Sequence, residues 1–186
     1  VLEIQKGNAT SLHCHPHKNT ALIVLRGEVD LSFIRGTAPR RMIGLDKINV
    51  FRGRFHRTRA VSEGVVLLEV EAPDDKQDIV RLEDDYGRAD SPIEGSEAEG
   101  PRDSTCLKME PGDREFAGCR LRIFDADRGS ELYGYDDRHV FVTLVGGLEH
   151  GLLPPGDAID GISFDRLCRA FPPVMDSTFL QIWRMK

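Results

Sequence analysis

The stretch SLHCHPHKNTALIVLRG, residues 11–27, decides the fold of this protein. Three histidines, His13, His15 and His17, stand directly before the apolar run ALIVL at residues 21–25. A short run of Val, Ile and Leu favours a buried β-strand. Side chains alternate along an extended strand, so His13 and His15 point to one face and both imidazoles reach one ion. The stretch therefore predicts a strand that begins beside a metal site.

A site of this kind needs a third ligand from elsewhere in the chain. We expect it to be His56, in FRGRFHRTR at residues 51–59, because this histidine follows a glycine turn and opens another strand-rich stretch. Neutral imidazole suits Zn, Mn, Fe or Ni, so the predicted cofactor is a divalent metal ion. A solvent-exposed histidine cluster explains the same HxH pattern without a metal.

Strand-like segments continue on both sides of the histidines and indicate an all-β chain. They are rich in Val, Ile, Leu and Phe and are separated by turns of Gly, Pro and Asp. They occupy residues 20–25, 28–34, 64–70, 119–124, 140–145 and 178–183.

Length and charge exclude several classes of protein. The 186 residues can bury a core without a disulfide or metal staple. With 25 basic and 31 acidic residues the net charge is −6, which argues against nucleic acid as a partner. No apolar run is long enough to cross a bilayer, and the four cysteines are far apart without CxxC spacing. We expect a cytoplasmic protein with reduced thiols and a small-molecule substrate.

The chain divides into two strand-rich units. Residues 89–103 are acidic and lack apolar periodicity, which predicts a linker. On its two sides, residues 20–32 resemble residues 139–151, and residues 56–71 resemble residues 168–183. This similarity predicts an internal duplication, although any two β segments share some likeness.

The second unit, residues 104–186, is expected to bind no metal. Leu132 and Gly134 stand where the first unit, residues 1–88, has His13 and His15, and Cys168 stands in the place of His56.

The histidine spacing resembles the first motif of the cupin superfamily. The residues that carry it are Gly7, His13, His15, Thr20 and Gly27. The second cupin motif is matched more loosely by Gly53 and His56, with Phe51 and Ala60 in place of the family's Pro and Asn. The resemblance implies two double-stranded β-helix (jelly-roll) barrels joined by the acidic linker, a bicupin. It also implies His13, His15 and His56 as metal ligands, with Thr20 where the family has a fourth ligand, Glu.

A further resemblance covers residues 3–88. The segment DIVRLEDDYGR, residues 78–88, is similar to the end of the cupin domain of type II mannose-6-phosphate isomerases. SLHCHPHKN at residues 11–19 and VLLEVEAP at residues 66–73 are similar to two other parts of that domain. The chain departs from the family at Lys18, Thr20 and Ala21, where the family has Arg, Glu and His.

Several residues are candidates for contact with substrate. His17 and Lys18 lie beside the ligand pair and are the expected proton-transfer residues. Thr20 leaves a coordination position open for substrate. Arg52 and Arg54, with Arg57 and Arg59, are expected to form an anion-binding rim around His56, although a salt-bridged surface explains them equally well.

Three functions follow from these observations. The first is metal-dependent isomerisation or epimerisation of a sugar phosphate, nucleotide sugar or similar polyhydroxylated metabolite. The second is a three-histidine Fe(II) dioxygenase, which Thr20 favours because the fourth ligand is missing. The third is a non-catalytic cupin that binds a sugar-like ligand. Cupins commonly pair through strand edges, so a homodimer is also expected by resemblance.

Overall fold

The computed structural model describes residues 1–34, 38–83 and 112–185. Fourteen strands and one α-helix, α1 (Gly161–Ala170), lie in these ranges. The strands are β1 (Leu2–Ile4), β2 (Leu12–Cys14), β3 (Asn19–Arg26), β4 (Glu28–Phe33), β5 (Arg40–Ile43), β6 (Lys47–Val50), β7 (His56–Ala60), β8 (Val65–Ala72), β9 (Val80–Glu83), β10 (Gly112–Phe116), β11 (Cys119–Ala126), β12 (His139–Val145), β13 (Ala158–Asp160) and β14 (Ser177–Arg184). None of the helical residues in these ranges forms a segment long and apolar enough to cross a membrane.

The strands form three antiparallel sheets. Sheet A has the order β1-β8-β3-β6, sheet B the order β5-β4-β7-β2-β9, and sheet C the order β10-β11-β14-β12-β13. Sheets A and B enclose one apolar core and form a barrel-like sandwich. Sheet C packs on the opposite face of sheet A through a second core.

The position of sheet A between two others explains its central strand. Leu22 and Val24 of β3 point into the core shared with sheet B, whereas Ala21 and Ile23 point into the core shared with sheet C. Because both faces are covered, the strand is apolar at consecutive positions instead of every second one. The ALIVL run is therefore the middle layer of the molecule.

The other face of sheet C is covered by helix α1. The ring of Phe164 on the helix stacks on Phe141 of β12, with the ring centroids 4.0 Å apart. The helix begins at Asp160, whose side chain accepts a hydrogen bond of 2.9 Å from the backbone N–H of Ser163. The C-terminal unit is thus a sheet with one face on sheet A and the other on a helix.

This arrangement corrects the expectation of a second barrel. The described residues of the C-terminal unit build one sheet and one helix, whereas a barrel of this kind needs two facing sheets. Cys168, aligned with His56 of strand β7, lies in α1. The reason is local, because Phe164, Leu167, Cys168 and Phe171 repeat with the spacing i, i+3, i+4, i+7 of a helix and all pack into one apolar cluster.

The two aligned pairs of segments nevertheless share a topology in sheets A and C. Each sheet contains a set of four strands, β1-β8-β3-β6 in sheet A and β11-β14-β12-β13 in sheet C. When the four strands of each set are numbered along the chain, both sets have the spatial order first, fourth, second, third. Residues 65–72 align with residues 177–184, which are strands β8 and β14. Gly27 and Gly146, aligned after β3 and β12, have φ of 83° and 70°, a region that favours glycine. The sequence similarity thus corresponds to one repeated sheet, and the predicted linker, residues 89–103, lies outside the described residues.

Candidate metal centre

Three histidines meet at one end of the barrel, inside it. His13 on β2 is the register partner of His56 on β7, so their side chains share the inner face of sheet B. His15 follows two residues after His13 and points to the same side. The ring centroid of His13 lies 5.1 Å from that of His15 and 4.5 Å from that of His56. The structure thus brings the three predicted ligands together.

Each imidazole is oriented by a backbone carbonyl. The Nδ1 atoms of His13, His15 and His56 lie 2.9, 2.6 and 3.1 Å from the carbonyl oxygens of Ser11, Asp78 and Arg54. A carbonyl only accepts hydrogen bonds, so Nδ1 carries the proton in all three rings and Nε2 carries the lone pair. This is the orientation that metal-binding histidines take in proteins.

Two rings of the cluster, those of His13 and His56, are held in the neutral form. Burial lowers the pKa of His13 to about 3, with a further decrease from the neighbouring His56. Burial also lowers the pKa of His56 to about 4. Neutral imidazole is the form that binds metal, so both rings are ready to act as ligands at neutral pH.

A carboxylate that the motif comparison did not identify completes the cluster. Glu69 on β8 lies with His13, His15 and His56 such that one ligand atom from each falls within 4.8 Å of all the others. Imidazole nitrogen and carboxylate oxygen are both ligand types of divalent metal ions, so these four residues are the ones that would hold an ion here. His56 Nε2 is buried and has no hydrogen-bond partner among the described residues, as expected for an atom that awaits a ligand.

The position of the Glu69 carboxylate can be predicted from the alternation of side chains along β8. Val65 and Leu67 point into the barrel core, so Glu69 and Glu71 follow on the same face. Glu71 is the register partner of Thr20, the position where the cupin motif has its Glu. The carboxylates of this site therefore come from the strand adjacent to the motif position. With Glu69 the group has three histidines and one carboxylate, whereas the dioxygenase hypothesis was based on three histidines alone.

Glu71 connects the histidine cluster to a buried lysine. One carboxylate oxygen lies 3.1 Å from His15 Nε2, and the other accepts a hydrogen bond of 2.8 Å from Lys18 Nζ. The Lys18 side chain is 1% exposed. Lys18 thus lies in the site, against Glu71.

Asp78 fixes the turn that carries His15 and Lys18. Its carboxylate accepts hydrogen bonds from the backbone N–H groups of His17 and Lys18, at 2.8–3.0 Å. Its backbone carbonyl receives the Nδ1–H of His15. One residue of the segment that follows β8 therefore orients a ligand and the turn beside it.

The other predicted residues fall in two groups. Thr20 is buried inside the barrel, opposite Glu71. His17, Arg52 and Arg54 are exposed, and the guanidinium of Arg54 lies 3.8 Å from the centre of the Phe33 ring.

Another arginine, Arg81, lies beside the cluster. Arg81 on β9 is the register partner of His13, so its side chain shares the inner face of sheet B. Its charge contributes to the low pKa of His13. Arg81 belongs to the segment DIVRLEDDYGR, but nothing in the sequence alone distinguishes it from the other arginines.

Comparisons with known proteins found similar structures only. Neither the protein-family models nor the curated proteins gave a match. The chain is similar to KdgF from a Halomonas species, with 15% identity and a TM-score of 0.37 over 39% of this chain and 64% of that one. It is similar to an uncharacterised Klebsiella pneumoniae protein with a double-stranded β-helix domain, at 21% identity and a TM-score of 0.40 over 44% and 66%. A putative sugar phosphate isomerase from Acidithiobacillus ferrooxidans has 21% identity and a TM-score of 0.34 over 37% and 45%. In each case this chain spans less than two thirds of the other protein.

Proposed function

We propose that this protein binds a divalent metal ion through His13, His15, His56 and Glu69 and isomerises or epimerises an anionic, polyhydroxylated small molecule such as a sugar phosphate. The observation that carries the proposal is that the three Nδ1 atoms are hydrogen-bonded to backbone carbonyls, so Nε2 is the ligand atom of each ring, and one ligand atom from each histidine lies within 4.8 Å of the others and of Glu69. The sequence resemblance to the isomerase cupin domain supports the choice of reaction class.

The residues around the cluster are suited to distinct roles. When bound, the metal supplies Lewis acidity that polarises a substrate carbonyl and acidifies the adjacent C–H. Arg81, on the inner face beside His13, binds the anionic group of the substrate. Glu71 takes the proton from one carbon and returns it to the next, as a carboxylate beside the reacting atoms can do.

Lys18 is a positioning residue in this proposal. Its hydrogen bond to one oxygen of Glu71 holds the carboxylate in one orientation and leaves the other oxygen toward the histidines. The buried environment of Lys18 excludes water from this contact. The predicted role of Lys18 in proton transfer thus becomes an indirect one, through Glu71.

Deuterium exchange tests the reaction. The wild-type protein, loaded with Mn²⁺ or Zn²⁺, is incubated with fructose 6-phosphate in D₂O, and incorporation at the carbon next to the carbonyl is followed by NMR. We expect exchange that Glu71→Gln abolishes while the metal content stays unchanged. Glu63→Gln, at an exposed glutamate outside the cluster, is the matched control and should exchange like the wild type.

A panel of other ketose and aldose phosphates extends this assay. Metal binding without exchange for any of these compounds would contradict the isomerase proposal and favour a sugar-binding protein.

A further inference from the structure

A cavity at the end of sheet C combines arginine side chains with a tryptophan. Its volume is about 380 Å³, and it is lined by Arg120, Arg138, His139, Trp183, Arg184 and Met185. Arg120, Trp183 and His139 are register partners across β11, β14 and β12, so their side chains lie in one row on one face. A volume of this size lies at the lower end of the range for small-molecule pockets, about 300–1,000 Å³.

The position of this cavity follows from the repeated sheet. With the alignment of β8 to β14, Trp183 corresponds to Glu71 and Gln181 to Glu69. With the alignment of β3 to β12, His139 corresponds to Thr20. Trp183 and His139 of the cavity thus stand at the positions that Glu71 and Thr20 occupy in sheet A, and an indole replaces the carboxylate of Glu71. This set of side chains suits an organic ligand rather than a metal ion.

The charges around the cavity favour an anion. Two arginines on the face of Trp183 line it, and each pairs with a carboxylate, Arg120 with Glu115 at 3.0 Å and Arg138 with Asp136. The side chains of Arg120 and Arg138 are 41% and 62% exposed. Ion pairs this exposed contribute little free energy, so a ligand anion can replace the carboxylates at small cost.

Trp183 supplies a flat apolar surface between the charged groups. Its ring lies 5.9 Å from the Arg120 guanidinium carbon and 6.0 Å from the centre of the His139 ring. Tryptophan rings stack on flat ring systems such as nucleic-acid bases. Arginine binds phosphate through two parallel hydrogen bonds.

We infer that this cavity binds a phosphate that carries an aromatic ring, of the size of a nucleoside monophosphate. Trp183 stacks on the ring, and Arg120 and Arg138 bind the phosphate. The site shares no residue with the metal cluster, so it does not depend on the proposed reaction.

Fluorescence tests this inference directly, because Trp183 is the single tryptophan of the chain. The full-length protein is titrated with AMP in the presence of a chelator, and we expect a saturable change in emission. Arg120→Gln and Arg138→Gln should each weaken binding by about 10-fold or more, since a hydrogen bond between charged groups contributes about 1.5–3 kcal/mol. Arg122→Gln is the matched control, because Arg122 lies one row further along the same face and pairs with Asp113 outside the cavity.

Four results would overturn the inference. The first is no saturable change in emission at millimolar AMP. The second is wild-type affinity in both Arg120→Gln and Arg138→Gln. The third is displacement of AMP by inorganic phosphate at equal concentration, because the ring would then contribute nothing. Adenosine alone should bind more weakly than AMP, and equal binding would exclude the role of the arginines.

Discussion

The substitution Thr20→Glu tests where the carboxylates of the cluster lie. Thr20 is 1% exposed and is the register partner of Glu71. Register partners place their Cβ atoms about 5 Å apart, so the new carboxylate would face an existing one inside the barrel. At this separation and an effective dielectric constant of about 20, two negative charges repel by about 3 kcal/mol.

This repulsion should be visible in thermal unfolding without metal. For a chain of this length about 3 kcal/mol corresponds to a Tm decrease of about 6–12 °C. Thr20→Gln has the same size without the charge and is the matched control for the added volume. In Thr20→Glu with Glu71→Gln, the repulsion is removed and most of the loss should be recovered.

Divalent metal should reverse the order of the Tm values of Thr20→Glu and Thr20→Gln. The additional anionic ligand tightens binding, and ligand binding to the folded state raises Tm in proportion to the logarithm of the affinity. Zn²⁺ or Mn²⁺ should therefore raise the Tm of Thr20→Glu more than that of Thr20→Gln. Equal Tm values for the two variants in chelator would refute the reasoning, since they would place Glu71 away from position 20.

Three further substitutions have definite expected outcomes. Asp78→Asn keeps the backbone carbonyl but replaces a carboxylate that accepts hydrogen bonds from backbone N–H groups. Calorimetry should show that its metal affinity is reduced by about 10- to 100-fold. Unchanged affinity would exclude a positioning role for the Asp78 carboxylate. Leu180→Ala, between sheets A and C, should cost about 2–5 kcal/mol in urea unfolding, whereas the exposed Leu82→Ala should cost less than about 0.5 kcal/mol. Gly146→Ala places a Cβ 2.5 Å from a hydroxyl and 3.0 Å from a backbone atom, so it should lower Tm more than Gly118→Ala, which has a similar φ and open space; equal losses would exclude the clash.

The sequence predicted that the three histidines cluster because their geometry is local. His13 and His15 are two residues apart on an extended chain, which fixes their common face before any tertiary contact forms. His56 required only that a second strand pair beside the first, and it does so in direct register with His13. The ALIVL strand was predicted for the same reason, since its composition reflects its buried position.

Glu69 was missed because the comparison with a family motif directed attention to position 20. The alternation Val65, Leu67, Glu69, Glu71 places two acidic side chains on the inner face of a buried strand, and that pattern is visible in the sequence. Arg81 could not be predicted in this way, since its role depends on β9 returning to pair with β2 after a long connection.

The second barrel was predicted from a similarity that is real but shorter than assumed. The alignment of residues 65–72 with 177–184 describes equivalent strands, but its N-terminal part pairs strand β7 with helix α1. The helical spacing of Phe164, Leu167 and Cys168 was present in the sequence. This spacing alone predicts a helix in place of a strand equivalent to β7, and it limits the repeat to the strands of sheets A and C.

Metal content is the most direct test of the central claim. The wild-type protein, His56→Ala and His17→Ala are purified without chelator and measured by inductively coupled plasma mass spectrometry. His56 lies in the cluster, whereas His17 is exposed and serves as the matched control. We expect close to one equivalent of a divalent metal per chain in the wild type and in His17→Ala, and almost none in His56→Ala. Equal metal content in all three proteins, or none in the wild type after incubation with Zn²⁺, Mn²⁺, Fe²⁺ or Ni²⁺, would contradict the metal site.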